Sequence, residues 1–280
     1  MRVWICGVRG STPAPGADFA GVGGHTSCVA LGATGGVPRL VLDAGTGLRA
    51  LTTVMDGARF RGTILLGHLH WDHTTGLPFF AAGDRDDAEV RVLLPEQGVP
   101  AEALLARAMS PPHFPITPDG LRGAWTFESV DEGVHDLEGF RVLAREIPHK
   151  GGRTFGYRIT EPGGSSVAYL SDHGPTALGD GADGIGELHP AALELVDGVD
   201  LLVHDAQYTL DELPARRSWG HCAADYPASL AERAGARRVL LFHHEPSRTD
   251  AQVERLAADV RGRHPGLRID PAVEGAVIDL

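Results

Sequence analysis

The sequence predicts an α/β fold in which two β-sheets pack face to face with helices on the outside. Three observations predict it. Short apolar runs rich in β-branched residues alternate with turn residues, as buried strands do. Strands follow one another through the middle of the chain, while both ends mix strands with helices. No low-complexity tract, internal repeat or Pro/Ser linker divides the 280 residues, so residues 1–280 read as one domain.

In chain order, strands are expected at Arg2–Gly7, Ser27–Leu31, Arg39–Leu42, Gly62–Leu66 and Glu89–Leu93. Helical periodicity covers Thr46–Met55 and Pro100–Met109. Further strands are expected at Phe140–Ile147, Phe155–Ile159, Ser166–Leu170, Asp200–Val203 and Arg238–Phe242, with helices at Cys222–Ala234 and Ala251–Arg261. The stretch Asp172–Pro190, dense in Gly and Asp, reads as a surface loop after a strand.

A content of 42% apolar and 22% charged residues describes an ordinary globular chain, which excludes disordered and collagen-like classes. No apolar run reaches the roughly 18 residues of a membrane span. The opening MRVWICGVRGS reads as a strand and lacks the form of a secretory signal. Cys6, Cys28 and Cys222 are too scattered for a disulfide framework or a CxxC metal site, which suits a reducing cytoplasm. Lys150 is the one lysine among 25 basic residues, a bias that GC-rich codons produce. A net charge of −12 disfavours capture of a polyanion. The expected partner is therefore a small-molecule substrate, with no large nucleic acid and no membrane.

The 14 histidines point to chemistry, because several cluster. In the run Thr63 to His73 an apolar strand leads into a turn that presents His68, His70, Asp72 and His73 within six residues. Alternate residues of an extended stretch point the same way, so His68 and His70 can converge on one point. Asp72 and His73 lie past the bend and can face a second point. Imidazole nitrogen and carboxylate oxygen are donors suited to Zn²⁺, Mn²⁺ or Fe²⁺. A solvated loop could also carry four such residues, but these follow directly on a buried strand.

Here the sequence resembles the metallo-β-lactamase-fold hydrolases, whose HxHxDH motif matches His68, His70, Asp72 and His73. That resemblance implies a four-layer αββα sandwich of two mixed β-sheets. It also implies His149 in REIPHKGG, a bridging Asp172 after VAYLS, and a last histidine in VLLFHHEP. Either His243 or His244 could serve there. His243, three residues before Pro246, matches the HxxP of related phosphodiesterases. Asp43, in LDAG, would orient a ligand by hydrogen bonding. The implied cofactor is a pair of divalent cations, zinc foremost with manganese or iron as alternatives. His68, His70 and His149 would hold one; Asp72, His73 and His243 would hold the other, with Asp172 between them. The implied nucleophile is a hydroxide shared by the pair, which makes Asp72 a catalytic residue as well as a ligand.

Flavodiiron oxidoreductases place an acidic residue at the position of His70, and di-zinc β-lactamases a cysteine at that of Asp172. What remains are phosphodiesterases, thioesterases and lactonases. Arg9-Gly-Ser-Thr-Pro followed by Gly23-Gly24-His25-Thr26-Ser27-Cys28 resembles the RGSTP…GGNTSC run of phosphodiesterase branches, with His25 where Asn is usual. Asp205 and His221 resemble the carboxylate–histidine pair of ribonuclease Z and cyclic phosphodiesterases, where the pair supplies a proton and a phosphate contact. Such a pair could equally be a buried ion pair or a helix cap.

The resemblance implies a phosphodiesterase acting on a small or cyclic phosphodiester. The alternatives are an ester, thioester or lactone hydrolase, a biosynthetic hydrolase of unusual substrate, and a non-catalytic metal-binding module. Family members often pair, so a homodimer is a further possibility. Asp225 and Tyr226 read as first-turn helix residues, His173 as a loop residue, His204 as facing the core and His113 as part of a lid. His135, His189 and His264 read as solvated. The run Met109–Pro115, with its prolines and Phe114, suits either a wall over the site or a surface connection.

Overall fold

A computed structural model describes residues 1–280. Apolar runs of three to eight residues form the strands. The first sheet holds β1 (Arg2–Gly7), β2 (Cys28–Gly32), β3 (Leu40–Leu42), β4 (Arg61–Leu65), β5 (Glu89–Pro95) and β6 (Ala124–Val130). The second holds β7 (Gly133–Leu137), β8 (Phe140–Ile147), β9 (Thr154–Thr160), β10 (Ser166–Leu170), β11 (Leu201–Asp205), β12 (Arg238–Phe242) and β13 (Arg268–Pro271). The chain then returns to the first sheet, where β14 (Val277–Asp279) pairs with β1.

Both sheets are mixed. β3 to β6 run parallel beside the antiparallel β1–β2 pair. β10 to β13 run parallel beside the antiparallel meander of β7 to β10. Three apolar clusters separate four layers. Between the sheets lie Ile5, Leu42, Tyr157, Tyr169 and Phe242. Outside the second sheet pack α4 (Pro190–Val196), α6 (Asp225–Ala234) and α7 (Asp250–Arg263), and outside the first pack α1 (Leu48–Val54) and α3 (Ala101–Ala106). Two shorter helices, α2 (Trp71–Thr74) and α5 (Leu213–Arg216), lie in loops. Each helix presents one apolar stripe, and burying it against a sheet is what fixes the layer order. No helix is long and apolar enough to cross a membrane.

Every expected strand forms, and so does every expected helix, although boundaries shift. The helix expected from Cys222 starts at Asp225, because Tyr208 N donates to Cys222 O (3.1 Å) and Ala224 N donates to Tyr208 O (2.9 Å), holding that stretch extended. α7 begins where its capping box dictates, with Thr249 and Gln252 satisfying one another's backbone N–H. The sequence pattern does not announce β6, β7, β13, β14 or α4. β6 and β7 are edge strands with mostly exposed or half-buried residues, so they lack a buried run. β13 and β14 span four and three residues, too few to show a period. Pro190, expected to end a loop, is the first residue of α4, where its fixed φ suits a helix start.

Candidate metal centre

Parallel strands end on the same side, and their carboxyl ends leave a crest where side chains converge. His68 lies three residues past β4, Asp172 two past β10, and His243 directly follows β12; Asp205 is the last residue of β11. Asp72 and His73 ride on α2, for which His70 is the N-cap residue, and His149 lies in the turn between β8 and β9. Two groups sharing Asp172 result, His68, His70, His149 and Asp172, then Asp72, His73, Asp172 and His243, with a third set, Asp205, His221 and His243, beside them.

Asp172 belongs to both groups, one oxygen to each. Its Oδ2 lies 3.6 Å from His68 Nε2 and 3.4 Å from His149 Nε2, while His70 Nδ1 is 3.3 Å from His149 Nε2. Its Oδ1 lies 3.1 Å from His73 Nε2 and 3.2 Å from His243 Nε2. Asp72 Oδ2 completes the second group at 3.2 Å from His73 and 3.1 Å from His243. Donors about 2.0–2.1 Å from a tetrahedral cation stand about 3.3–3.4 Å apart. The observed separations scatter around that value. His68 Nε2, His73 Nε2 and Asp172 Oδ1 are buried without a hydrogen-bond partner, a cost that bound cations would remove. The residues present therefore fit two cations.

The outward nitrogens are tied back. Asp43 accepts from His73 Nδ1 (2.7 Å), Gly67 N (2.7 Å) and the Tyr169 hydroxyl (2.8 Å), so its buried carboxylate joins β4, β10 and α2. His149 Nδ1 donates to Gly220 O (2.6 Å), and His243 Nδ1 donates to Gln207 Oε1 (3.2 Å). Each bond fixes the tautomer that points Nε2 into the centre. Ser11 N donates to Asp72 Oδ2 (2.6 Å) from the N-terminal loop. Gly10 allows that approach, since a Cβ there would meet the His243 ring at 2.4 Å.

Burial pushes His68, His70 and His149 below the usual imidazole range, leaving them neutral with free lone pairs. His243 goes the other way, to about 9: Asp172, Asp72 and Asp205 outweigh the opposing burial. Burial also opposes the ionised form of Asp172, but the neighbouring His243, His73 and His68 hold its carboxyl well below the usual range.

His221 stands beside the two groups. Its Nδ1 donates to Asp205 Oδ2 (2.7 Å), and its ring stacks on His243 at 4.9 Å between centroids. Asp205 is fully buried and also accepts from Gln207 N (2.9 Å) and His173 N (3.2 Å). The pair lies between β11 and α6 and caps neither.

Of the two adjacent histidines, His243 turns inward while His244 Nε2 donates to Ala272 O (2.9 Å) in the opposite direction. The left-handed backbone at His243 (φ 55°) breaks strand alternation at that point. Burial lowers His244 to about 3, against 6.5 in a free chain. The unfolded chain thus takes up this proton first, and stability falls as pH drops from about 6.5 towards 3, by about 4–5 kcal/mol at the end of that window. His244→Gln should flatten that part of a thermal-melting pH profile; an unchanged slope would count against it.

Other histidines differ from expectation. His173 lies in the loop after β10, as expected, but is buried there: its Nδ1 lies 3.0 Å from Nε2 of the equally buried His204, which does face the core. His135, His189 and His264 are half-buried rather than solvated: each sits against backbone or neighbouring side chains that a linear reading does not bring near. His25 lies outside the centre, against Thr46 (3.2 Å) and Glu274 (3.8 Å). Asp225 and Tyr226 are first-turn residues of α6, with Asp225 paired to Arg263. Three groups at the centre have no counterpart among the expected site residues: Gln207, the Gly220 carbonyl and the Ser11 N–H. Of these, Gln207, two residues past Asp205, is the one with a positional signal.

Residues 38–244 match the family model described as the beta-lactamase superfamily domain. The chain belongs to the metallo-β-lactamase superfamily. It is a metal-dependent hydrolase of that superfamily, and its fold is shared by solved members. A metallo-β-lactamase-fold protein, YhfI of Bacillus subtilis, is 17% identical with a TM-score of 0.72, covering 99% of both chains. The short form of human tRNase Z is 20% identical with a TM-score of 0.67, covering 100% of this chain and 99% of that one. Among curated relatives, a ribonuclease Z of Limosilactobacillus reuteri is 28% identical over 251 residues, 74% of this chain and 77% of the relative.

These names correct one expectation from the sequence, that no large nucleic acid is a partner. Relatives of this superfamily member are called ribonucleases, so exclusion of RNA does not stand. The physical reason is that net charge sums the whole surface. It says nothing of the field over one face, such as a crest that would carry two cations.

Proposed function

We propose that the protein hydrolyses phosphodiester bonds with two divalent cations, zinc foremost and manganese or iron as alternatives. His68, His70 and His149 would hold one cation, Asp72, His73 and His243 the other, and Asp172 would bridge them. Bound there, the cations would supply Lewis acidity, lowering the pKa of a water and drawing charge from the phosphoryl oxygens. His221 then acts as the general acid. Its Nδ1–H is held by Asp205, which leaves Nε2 as the nitrogen able to pass a proton to the departing oxygen. Asp205 fixes that tautomer and the orientation of the ring.

The ordered His221–Asp205 pair beside the donor groups carries this reading. A departing alkoxide needs a proton, and a histidine held by a carboxylate can supply it. The test is hydrolysis of bis-p-nitrophenyl phosphate, a cyclic nucleotide and an RNA strand by zinc-loaded protein, beside an ester, thioester and lactone panel. Turnover of phosphodiesters is expected. If only carbonyl substrates react, the protein is an ester, thioester or lactone hydrolase; less than one metal equivalent per chain would leave a binding module.

A further inference from the structure

Next to the metal centre lies a cavity of about 760 Å³ that the proposed chemistry does not use. His68 lines both it and the centre. Its apolar walls include Trp71 of α2 and Phe79 beyond it, Leu105 and Met109 at the end of α3, and Phe114. Phe79 and Phe114 meet edge to face at 5.9 Å, while Trp71 is 73% exposed and Phe79 60% exposed. Apolar rings left bare in a cavity are costly in water unless something covers them.

The polar groups here separate into committed and free. Arg153 is held by Glu146 at 2.8 Å and Asp131 at 3.3 Å and lies over Phe155, and Gln97 is used by the Arg153 backbone. Arg107, at the mouth, has no acidic partner. A cavity of this size suits a small ligand. Aromatic walls and one free guanidinium favour a flat ring with a polar edge over an aliphatic chain, since both aromatic faces and guanidinium planes stack on rings.

We propose that this cavity is a subsite for a planar aromatic group carried by the phosphoester, with Trp71, Phe79 and Phe114 as its stacking walls. The proposal rests on the phosphodiesterase reading for what the ring is attached to. Two sources share this chemistry: a nucleobase and an aryl ester group. Both place the ring beside His68 while the phosphoryl group sits at the crest.

The test uses matched pairs of phosphate monoesters, bound to the zinc-loaded protein and followed by tryptophan fluorescence, so it needs no turnover. Adenosine 5′-monophosphate is compared with ribose 5-phosphate, and phenyl phosphate with methyl phosphate. Each stacked ring should tighten binding by roughly tenfold, within the range for base–aromatic stacking. Preference in the first pair alone identifies a nucleobase, and in the second alone an aryl group; either supports the subsite. In Phe79→Ala and Phe114→Ala proteins the ratio should collapse towards one. Equal binding within both pairs, or a ratio that survives both replacements, would overturn it. So would a dimer in solution that covers Trp71 and releases it only on dissociation. Should phosphodiester hydrolysis fail while ring preference persists, the subsite stands and only the reaction is misassigned.

Discussion

Asp172→Ala protein is expected to lose both cations and about 10⁴-fold or more in kcat/KM. Asp172 is the single side chain shared by the two donor groups, with Oδ1 facing His73 and His243 and Oδ2 facing His68 and His149. Its removal cuts a ligand from both positions. Cations contribute several kcal/mol of charge stabilisation, and 10⁴-fold corresponds to about 5.5 kcal/mol. His70 belongs to one group only, so His70→Ala should lose about one equivalent of metal and keep the other. Inductively coupled plasma analysis of dialysed proteins distinguishes these outcomes. Asp172→Asn keeps the side-chain shape and serves as the folding control. Two equivalents retained in a folded Asp172→Ala protein would end the assignment of Asp172 as the ligand shared by both cations.

The second large effect concerns His221. His221→Ala should reduce turnover of an alkyl phosphodiester by about 10²–10⁴-fold with metal content intact. The loss should shrink sharply for bis-p-nitrophenyl phosphate, because p-nitrophenolate leaves as a stable anion and needs little protonation. Asp205→Asn should show a smaller version of the same leaving-group dependence, since Asp205 acts through the ring it holds. A uniform loss across leaving groups would make the pair structural. Loss of metal in His221→Ala protein would instead make His221 a ligand, an option its distance from His243 leaves geometrically open.

Much of this centre is legible in the amino-acid sequence. His68, His70, Asp72 and His73 stand together because one strand end and one helical turn supply four donors in six residues. His149, Asp172 and His243 are reached through the resemblance, each near a strand end, and the fold brings them to the same crest. Of the groups that orient them, Asp43 is reached through the LDAG segment, and the others are not legible. The Gly220 carbonyl is backbone, the Ser11 N–H belongs to a loop 61 residues from Asp72, and Gln207 is marked only by its place two residues past Asp205. Edge strands β6 and β7 escape because their residues are too exposed to form an apolar run. The aromatic cavity is legible only in part: the run Met109–Pro115 suits a wall over the site, but nothing in the sequence joins Phe114 to Trp71 and Phe79.

Residue type and apolar period are local properties, so the donor chemistry and the layered α/β plan follow from the chain alone. The choice between His243 and His244 belongs to the folded molecule, since one left-handed residue after β12 turns the first towards Asp72 and the second towards Ala272. Folding likewise joins His221 to Asp205 and opens a cavity beside His68. Convergence of distant segments depends on how two sheets pack and where their strands end, and no single stretch of chain encodes that.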